Sequence, residues 1–342
     1  MMPAVTLRHF RQAARLMAAL VVLLSARGVE AGPEGFGPFP VRNFQPIQLL
    51  ILGMPGDRAT VIEKRALDVR VEMALTSTVF REETGRVSAT MKFETLRSGL
   101  FFRYGLTDRL EVGMEVPVLY RYRGFLEGVI TATERATTGL APARNALKDT
   151  GFAYNLSRDG QTLFSGGEGE LGLGDITLSG KYQILAQSRE SPAVSLRLAV
   201  KVPSGDDRRF FGSGHADAGL GLAVEKTVAA RWILYGNLNG IFPTGKVAGL
   251  ALDPAMSGIA AVEYLWSPAV SFVAQFDYYS SPFRNTGTRI LDRGVTESTV
   301  GFNYRLRKNF LWQVYGIENL DFIRGSAADF TLSTLITYRF GT

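Results

Sequence analysis

The sequence predicts an all-β protein, a 12-stranded antiparallel transmembrane β-barrel of the bacterial outer membrane, with short periplasmic turns and a long second extracellular loop. Three observations lead to this fold. Segments with alternating apolar and polar residues recur along the chain. The connections between them alternate between short and long. After the N-terminal region no run of about 18 apolar residues occurs, so helical spans are not expected.

Twelve segments have the two-residue period of a strand with one apolar face. In the first, Leu67, Val69 and Val71 face one way, whereas Asp68 and Arg70 face the other. The segments begin at Ala66 and continue at 90–104, 109–122, 174–186, 192–203, 216–228, 231–243, 256–267, 268–281, 295–307, 309–320 and 330–340. An even strand number is expected when both ends of a bacterial barrel lie in the periplasm.

Connections and aromatic residues agree with this topology. Periplasmic turns such as Gly105 to Asp108 are short, whereas the external loop 123–173 is very long. Aromatic residues favour the two membrane interfaces. Those predicted on the periplasmic side are Tyr104, Trp232, Trp266, Tyr338 and Phe340, and those on the extracellular side are Tyr120, Phe242, Tyr278 and Tyr279.

The N-terminus has the pattern of a signal peptide. Arginines precede an apolar core, Leu16 to Leu24, which is too short to span a bilayer, and Ala31 offers a cleavage site. Removing residues 1–31 takes away four arginines and one glutamate and lowers the formal net charge from +6 to +3. The remaining charge does not favour nucleic acid as a partner. The 342 residues contain no cysteine, which excludes disulfides and thiolate metal sites.

The last strand, 330–340, has alternate apolar residues and ends on Phe340. It resembles the C-terminal assembly signal of bacterial outer-membrane barrels, although Gly341 and Thr342 follow the aromatic residue. This resemblance implies that the barrel assembly machinery recognises the Phe340 strand. Outer-membrane lipid and lipopolysaccharide are the other expected partners.

Several short motifs carry a resemblance to a known family. Tyr104 to Val112, followed by Val116-Pro117, resembles the first hairpin of the outer-membrane transporters associated with phenol degradation. Similar motifs are Gly172 to Asp175, Lys201 to Gly205 and Gly212 to Asp217. The leader Pro40 to Pro46 and the loop start at Gly124 resemble a narrower outer-membrane family of unknown function. The resemblance implies a barrel of this type and assigns no activity.

The polar faces of the strands carry charges of both signs that are expected to line the lumen. The candidates are Asp68, Arg70, Glu72, Arg97, Arg103, Glu111, Glu115, Lys181, Arg197, Lys201, Glu225, Glu263, Asp277, Glu297, Arg305 and Arg339. Balanced charge in a lumen of this width predicts ion pairs across it. The protein is then expected to be a narrow channel or transporter for a small solute, with hydrophobic solutes among the candidates. The alternative is a sealed barrel that acts through its external loops.

The long loop contains Phe125, Leu126, Val129 and Ile130 at helical spacing. Loops of this length are commonly functional. An amphipathic helix here is expected to fold into the mouth as a constriction, and the alternative is a helix lying on the outer leaflet.

Residues 32–65 precede the barrel, 66–342, and are predicted to form a periplasmic segment that can plug it. Ser213 and His215 have the spacing of a dyad in barrel enzymes that hydrolyse lipids, but their flanking glycines favour a turn, so we expect no enzyme. One remaining histidine and no cysteine predict no metal site, and no cofactor is expected. The sequence specifies neither the solute nor the oligomeric state.

Overall fold

The twelve-stranded antiparallel barrel is confirmed in a computed structural model, which describes residues 34–137, 139–320 and 328–341. The predicted signal peptide and its cleavage after Ala31 lie outside the described residues. Within the described residues, no helix combines the length and apolar character needed to cross a membrane.

The strands follow the predicted segments closely. The barrel strands are β1 (Leu67–Glu83), β2 (Val87–Gly105), β3 (Leu110–Tyr122), β7 (Ile176–Leu185), β8 (Ala193–Val202), β9 (Asp217–Ala229), β10 (Trp232–Pro243), β13 (Ala255–Leu265), β14 (Val270–Tyr279), β15 (Val295–Arg307), β16 (Phe310–Asn319) and β17 (Ala328–Phe340). The loops add β4 (Ala153–Arg158), β5 (Gln161–Ser165), β6 (Glu170–Leu173), β11 (Lys246–Val247) and β12 (Leu250–Ala251). Helices span Leu126–Ala136, Pro142–Ala146 and Arg289–Asp292, and a 3-10 helix spans Gln48–Leu50.

The first and last strands close the barrel. β1 pairs with β17 from Leu67↔Phe340 to Ser77↔Phe330, and the register shifts at a bulge before Thr78. Closure removes the free edges that would otherwise leave backbone groups unpaired in lipid. The backbone hydrogen-bond ladders of the barrel wall therefore run between barrel strands, without a contribution from the N-terminal segment.

The alternation of residues along each strand separates an apolar outside from a polar inside. Val71, Leu198 and Val300 on the outer face are 49%, 54% and 65% exposed, whereas Glu72 and Thr299 on the inner face are 0% exposed. Such a surface fits contact with lipid tails.

Aromatic residues cluster at the lower, periplasmic end of the outer face. Trp232 packs on Tyr264 with ring centroids 4.7 Å apart, and Tyr338 packs on Phe340 at 4.5 Å. At the upper end Phe242 is exposed. Tyr279 differs from the expected girdle position, because its hydroxyl is buried and the residue lines an internal cavity.

The extracellular mouth is closed by an apolar core, here called the cap. β1 and β2 continue above the barrel, and β4 pairs with β2 between Val87↔Arg158 and Lys92↔Ala153. Buried residues from this extension, from the β4–β5 hairpin, from two loops and from the N-terminal segment form the cap: Ile47, Leu50, Phe80, Met91, Phe93, Tyr154, Leu156, Phe164, Val247, Phe283, Ile290 and Leu291.

The helix Leu126–Ala136 lies on the outer wall, so the expectation that it forms a constriction is wrong. Its Glu127 amide donates to Glu94 Oε1 at 2.8 Å, and Glu94 belongs to the outward-facing set of β2. Leu126 is buried and Ile130 is half-buried, whereas Phe125 and Val129 are 67% and 56% exposed. The cap already fills the mouth, which leaves the helix only the outside of the rim.

Arg144 attaches this helix to the seam between β1 and β17. Its guanidinium contacts Glu127 and Asp329, and its Nε lies 3.1 Å from Glu134 Oε1. Burial alone would lower the pKa of Arg144, but the carboxylates of Asp329, Glu127 and Glu134 raise it above its usual value. Since Asp329 belongs to β17, this ion-pair group, here called the clasp, ties the long loop to the closing strand.

Arg144→Met should destabilise the folded barrel, because it leaves several carboxylates without their shared cation. We expect a loss of about 2 kcal/mol, below the ~3–5 kcal/mol of fully buried pairs since Asp329 is partly exposed. Thermal unfolding in detergent measures this change. Arg135→Met, which alters an exposed arginine of the same helix, is the control. Equal unfolding midpoints for the two variants would contradict the clasp.

Candidate functional site: the plugged lumen

Residues 34–66, here called the plug, run up and then down inside the barrel. At the periplasmic end the Phe36 amide donates to Glu263 Oε1 at 3.1 Å. Higher up, the Phe39 amide donates to Gln275 Oε1 at 3.0 Å, and its ring stacks on Tyr315 with centroids 4.5 Å apart. This rising limb is therefore held by inward side chains of β13, β14 and β16.

The plug turns around beneath the cap. The 3-10 helix Gln48–Leu50 forms the turn, and Ile47 and Leu50 pack into the cap. Gln45 Nε2 donates to the Ile290 carbonyl at 3.3 Å. The tip therefore joins the apolar core of the cap, and lower down Phe39, Val41 and Phe44 pack in a second apolar cluster with wall residues such as Ile233 and Leu335.

The descending limb returns along the opposite wall. The Leu52 amide donates to Asp217 Oδ2 at 2.8 Å, and Asn239 Nδ2 donates to the Met54 carbonyl at 3.1 Å. A Cβ on Gly56 would lie 2.5 Å from the Phe39 carbonyl oxygen, so the two limbs pack side by side. The limb ends at β1.

Ion pairs fix the plug at three heights. Arg42 Nη1 lies 2.9 Å from Glu115 Oε1. Lower down, Asp57 Oδ2 lies 3.0 Å from Lys181 Nζ, and its Oδ1 lies 3.3 Å from Arg103 Nη1. In a third pair, Arg58 Nη2 lies 2.7 Å from Glu225 Oε1.

The plug does not take part in the barrel sheet. For residues 34–64, every described hydrogen bond to the wall has a side chain on at least one side. Backbone pairing with the wall begins only where Arg65 N donates to Gly105 O at 2.7 Å. The plug can therefore leave the lumen without breaking a strand ladder.

All the predicted lumen-lining residues lie on the inner face. Those that are buried are Asp68, Glu72, Arg97, Glu111, Glu115, Lys181, Arg197, Lys201, Glu225, Glu263, Asp277 and Glu297. Arg70, Arg103, Arg305 and Arg339 are half-buried and surround an opening of about 210 Å³ at the periplasmic end.

The ion pairs among wall residues connect neighbouring strands, so the expected pairs across the lumen are wrong. Arg97 Nη1 lies 2.7 Å from Glu72 Oε2 on the adjacent β1, and Lys181 Nζ lies 3.1 Å from Glu111 Oε1 on the adjacent β3. The plug occupies the axis of the barrel and supplies the remaining partners.

The lysines and arginines are concentrated on one half of the wall. The inner faces of the consecutive strands β1, β2, β3, β7 and β8 carry six cations and four carboxylates: Arg70, Arg97, Arg103, Lys181, Arg197 and Lys201, with Asp68, Glu72, Glu111 and Glu115. On the inner faces of β9, β10, β13 and β14 the charged residues are all carboxylates, including Glu225, Glu263 and Asp277. A solute between plug and wall would therefore meet different charges on the two sides.

Two internal cavities remain between the plug and the wall, with volumes of about 60 and 90 Å³. Both are lined by Gly53, Met54, Glu115 and Thr177. A water molecule occupies about 30 Å³ in the liquid, so each cavity has room for only a few waters. The lumen is closed in this conformation.

Ser213 and His215 do not form a catalytic dyad. Ser213 Oγ donates to the backbone carbonyl of His215 at 3.0 Å and lies 2.5 Å from Lys201 Nζ. Lys201 also donates to Asp175 Oδ2 at 2.8 Å and to the Leu50 carbonyl at 2.6 Å. Lys201 thus joins the Leu50 carbonyl of the plug tip to Asp175 and Ser213 of the wall, and the cluster anchors the tip.

Asp175 and Asp217, at the ends of two glycine-rich motifs, stabilise turns. Asp175 Oδ1 accepts from the Gly205 amide at 2.9 Å, and Asp217 Oδ1 accepts from the Thr244 amide at 3.3 Å. Both aspartates also contact Lys201. Among the described residues no three His, Cys, Asp or Glu side chains are arranged to hold a metal ion.

Arg42, Asn43 and Tyr279 are lumen residues that the sequence does not single out. All three line the upper internal cavity. The plug lacks the period of a strand or a helix, so its path does not follow from the sequence. The aromatic pattern places Tyr279 together with Tyr278 in the lipid-facing girdle. The alternation along the strand is the pattern that could place Tyr279 inside. Tyr279 lies two residues after the inward-facing Asp277 and therefore faces the same side.

Asp57 should stabilise the docked plug at neutral pH but not in acid. Burial alone would raise its pKa, but Lys181, Arg103 and Arg197 hold the pKa well below its ordinary value. A depressed folded-state pKa gives stability that is complete above the unfolded value of about 4 and is lost as the pH falls further. Asp57→Asn should therefore lower the thermal midpoint at pH 7, and the difference from wild type should shrink below about pH 4.

Asp108→Asn, in an exposed periplasmic turn, is the control for this measurement. A difference between wild type and Asp57→Asn that stays constant from neutral to acidic pH would show that Asp57 does not act through its charge.

Comparison with known proteins places the chain in a family. A model of a family described as a protein of unknown function, DUF3187, matches residues 14–340. No curated protein matches the chain. Among solved structures, the fold is similar to the COG4313 outer membrane channel from Pseudomonas putida F1, with a TM-score of 0.58 and 15% identity, over 84% of this chain and 99% of that chain.

Two further similarities are weaker. The NanC porin gives a TM-score of 0.46 at 10% identity, over 80% of this chain and 98% of that chain. The toluene transporter TodX of P. putida gives 0.38 at 10% identity, over 87% and 93%. These two support no argument, and the first supports the fold alone. Since the family model spans nearly the whole sequence, the chain belongs to DUF3187, a family of unknown function.

Proposed function

We propose that this protein is an outer-membrane channel for a small solute and that the plug is its gate. The observation that carries the proposal is the way the plug is attached. Between residues 34 and 64 it is held to the wall by side-chain hydrogen bonds and ion pairs such as Arg58–Glu225, and not by backbone pairing. Exchange of these contacts for water is the expected route to an open state.

The barrel remains complete when the plug is absent. Each barrel strand is paired on both sides by other barrel strands, including β1 with β17. With the plug withdrawn, the inner faces would present many polar and charged side chains, which water solvates readily, together with the apolar wall residues that now pack on Phe39, Val41 and Phe44. Twelve strands lie between the eight of side-chain-filled barrels and the 16 or more of open porins, so a narrow conduit is expected.

The solute has to pass two different environments. The extracellular entrance is the apolar cap, whereas the lumen below it carries many charged side chains and one apolar cluster around Phe39 and Leu335. This order of environments favours a small solute that has an apolar part. We make no narrower assignment of the solute.

Location and partners belong to the same proposal. We infer an outer-membrane protein whose residues 1–31 are removed on export. The exposed apolar belt would contact outer-membrane lipid, and the exposed Phe125 and Val129 on the rim would contact lipopolysaccharide. The assembly machinery would recognise the strand that ends at Phe340.

The competing proposal is a sealed barrel that acts through its external loops. It is favoured by the cap, because Ile47 and Leu50 at the plug tip are buried in the same apolar core as the loops. A channel has to open this core, whereas a sealed barrel never does.

A reversible crosslink tests the gate in the full-length chain. Ala59 of the plug packs against Ala193 and Ala223 of the wall, and the chain has no cysteine of its own. We expect the double variant Ala59→Cys with Ala223→Cys to show no channel openings in planar bilayers when oxidised. Reduction should restore the openings of wild type, and each single-cysteine variant should be insensitive to the reductant.

A deletion variant lacking residues 34–61 provides the opposite test. It should conduct far more than wild type, because the gate is missing. If the deletion variant folds into a heat-stable barrel but conducts no ions, the lumen is sealed by more than the plug and the channel proposal fails.

A further inference from the structure

The upper internal cavity, of about 60 Å³, lies between the plug and the wall just below the cap. Arg42 and Asn43 of the plug line it on one side. Arg97, Glu115 and Tyr279 of the wall line it on the other. Any molecule held here would touch both the gate and the barrel.

Three buried polar atoms around this cavity have no hydrogen-bond partner. They are Arg42 Nε, Asn43 Nδ2 and Tyr279 Oη. Each of them can donate a hydrogen bond, and two of them can only donate. Buried polar groups are nearly always satisfied, and leaving one unpaired costs free energy. The arrangement therefore lacks an acceptor.

The unpaired groups favour a ligand that only accepts hydrogen bonds, such as a carboxylate. The net charge does not decide this, because Arg42, Arg97 and Lys201 already face the carboxylates of Glu115, Glu72, Asp175 and Asp217. Both terminal nitrogens of Arg42 already engage Glu115, at 2.9 Å each, so only Nε is free to bind a further group.

We propose that this cavity is a binding site for a small carboxylate and that the bound anion locks the plug in its closed position. Hydrogen bonds from charged donors to carboxylate oxygens are among the stronger ones in proteins. The volume suits a group the size of acetate, since it equals about two water molecules.

The locking effect follows from where the donors are. Arg42 and Asn43 move with the plug, whereas Tyr279 and Arg97 belong to the wall. An anion that bridges them binds only the closed state, and a ligand that binds one state better shifts the population toward it. The inference rests on the proposed function for the gating role, whereas occupancy of the site can be measured independently.

Sodium acetate is the probe, with sodium chloride at equal ionic strength as the reference. We expect acetate to raise the thermal unfolding midpoint of the full-length protein in detergent, with saturation as acetate increases. Asn43→Leu and Tyr279→Phe each remove one unpaired donor. Tyr279→Phe removes no described hydrogen bond, whereas Asn43→Leu also removes the bond that the Gln45 amide donates to Asn43 Oδ1 at 2.9 Å. Each should weaken the acetate response about tenfold, the effect of losing one hydrogen bond to a charged group.

Tyr154→Phe is the matched control. The Tyr154 hydroxyl is also buried and without a partner, but the residue belongs to the cap and does not line this cavity. Its acetate response should equal that of wild type.

The outcomes separate the site from the channel. If acetate acts no differently from chloride, the cavity holds water only and the proposal is overturned. A saturable response that persists in both Asn43→Leu and Tyr279→Phe also overturns it, because acetate then binds elsewhere. The expected result is an acetate response weakened about tenfold in both variants, together with fewer openings of wild type in acetate than in chloride. If the response is weakened in both variants while the oxidised Ala59–Ala223 crosslink leaves conductance unchanged, the site stands and the gate fails.

Discussion

The structure depends on one constraint: polar groups in a lumen too narrow for bulk water must find partners on the protein. The inner face of a twelve-stranded barrel presents many charged residues, and burial of an unpaired charge is very costly. Neighbouring strands satisfy some of them, as in Arg97 with Glu72. The plug satisfies others, as in Glu225 with Arg58 and Glu263 with the Phe36 amide. The plug is therefore both the partner of the wall and the obstacle in the lumen.

This constraint also explains why some loop segments fill the mouth of the barrel whereas others pack against its outer wall. The cap buries apolar residues from the plug tip, the β4–β5 hairpin and the loops around Phe283 and Leu291, and it keeps water from the extracellular side. Since the cap fills the mouth, the helix Leu126–Ala136 packs outside. There, Arg144 joins it to Asp329 on the closing strand. The loop 123–173 thus contributes both to the cap over the lumen and to the clasp at the seam between β1 and β17.

The barrel could be predicted because strands impose a period of two and lipid requires closure. The same parity placed residues such as Glu72 and Lys201 on the inner face. The plug path could not be predicted, since Phe36 to Ile62 has no period and is positioned by side chains far away in sequence, such as Glu263 and Asp217. The position of the helix Leu126–Ala136 depends on the cap that fills the mouth, and no local sequence pattern predicts that cap. The prediction that Tyr279 faces lipid is wrong, because adjacent strand residues face opposite sides and only Tyr278 lies on the outer face.

The central claim is that a plug held by side chains alone can leave a barrel held by backbone ladders. Native-state hydrogen exchange of the full-length protein tests it most directly. Amides that are bound only by wall side chains, such as those of Leu52 and Ile62, should exchange together through a low-energy opening, well before those of β1 and β17. If they exchange only when the barrel strands do, the plug is an inseparable part of the core and the account is wrong.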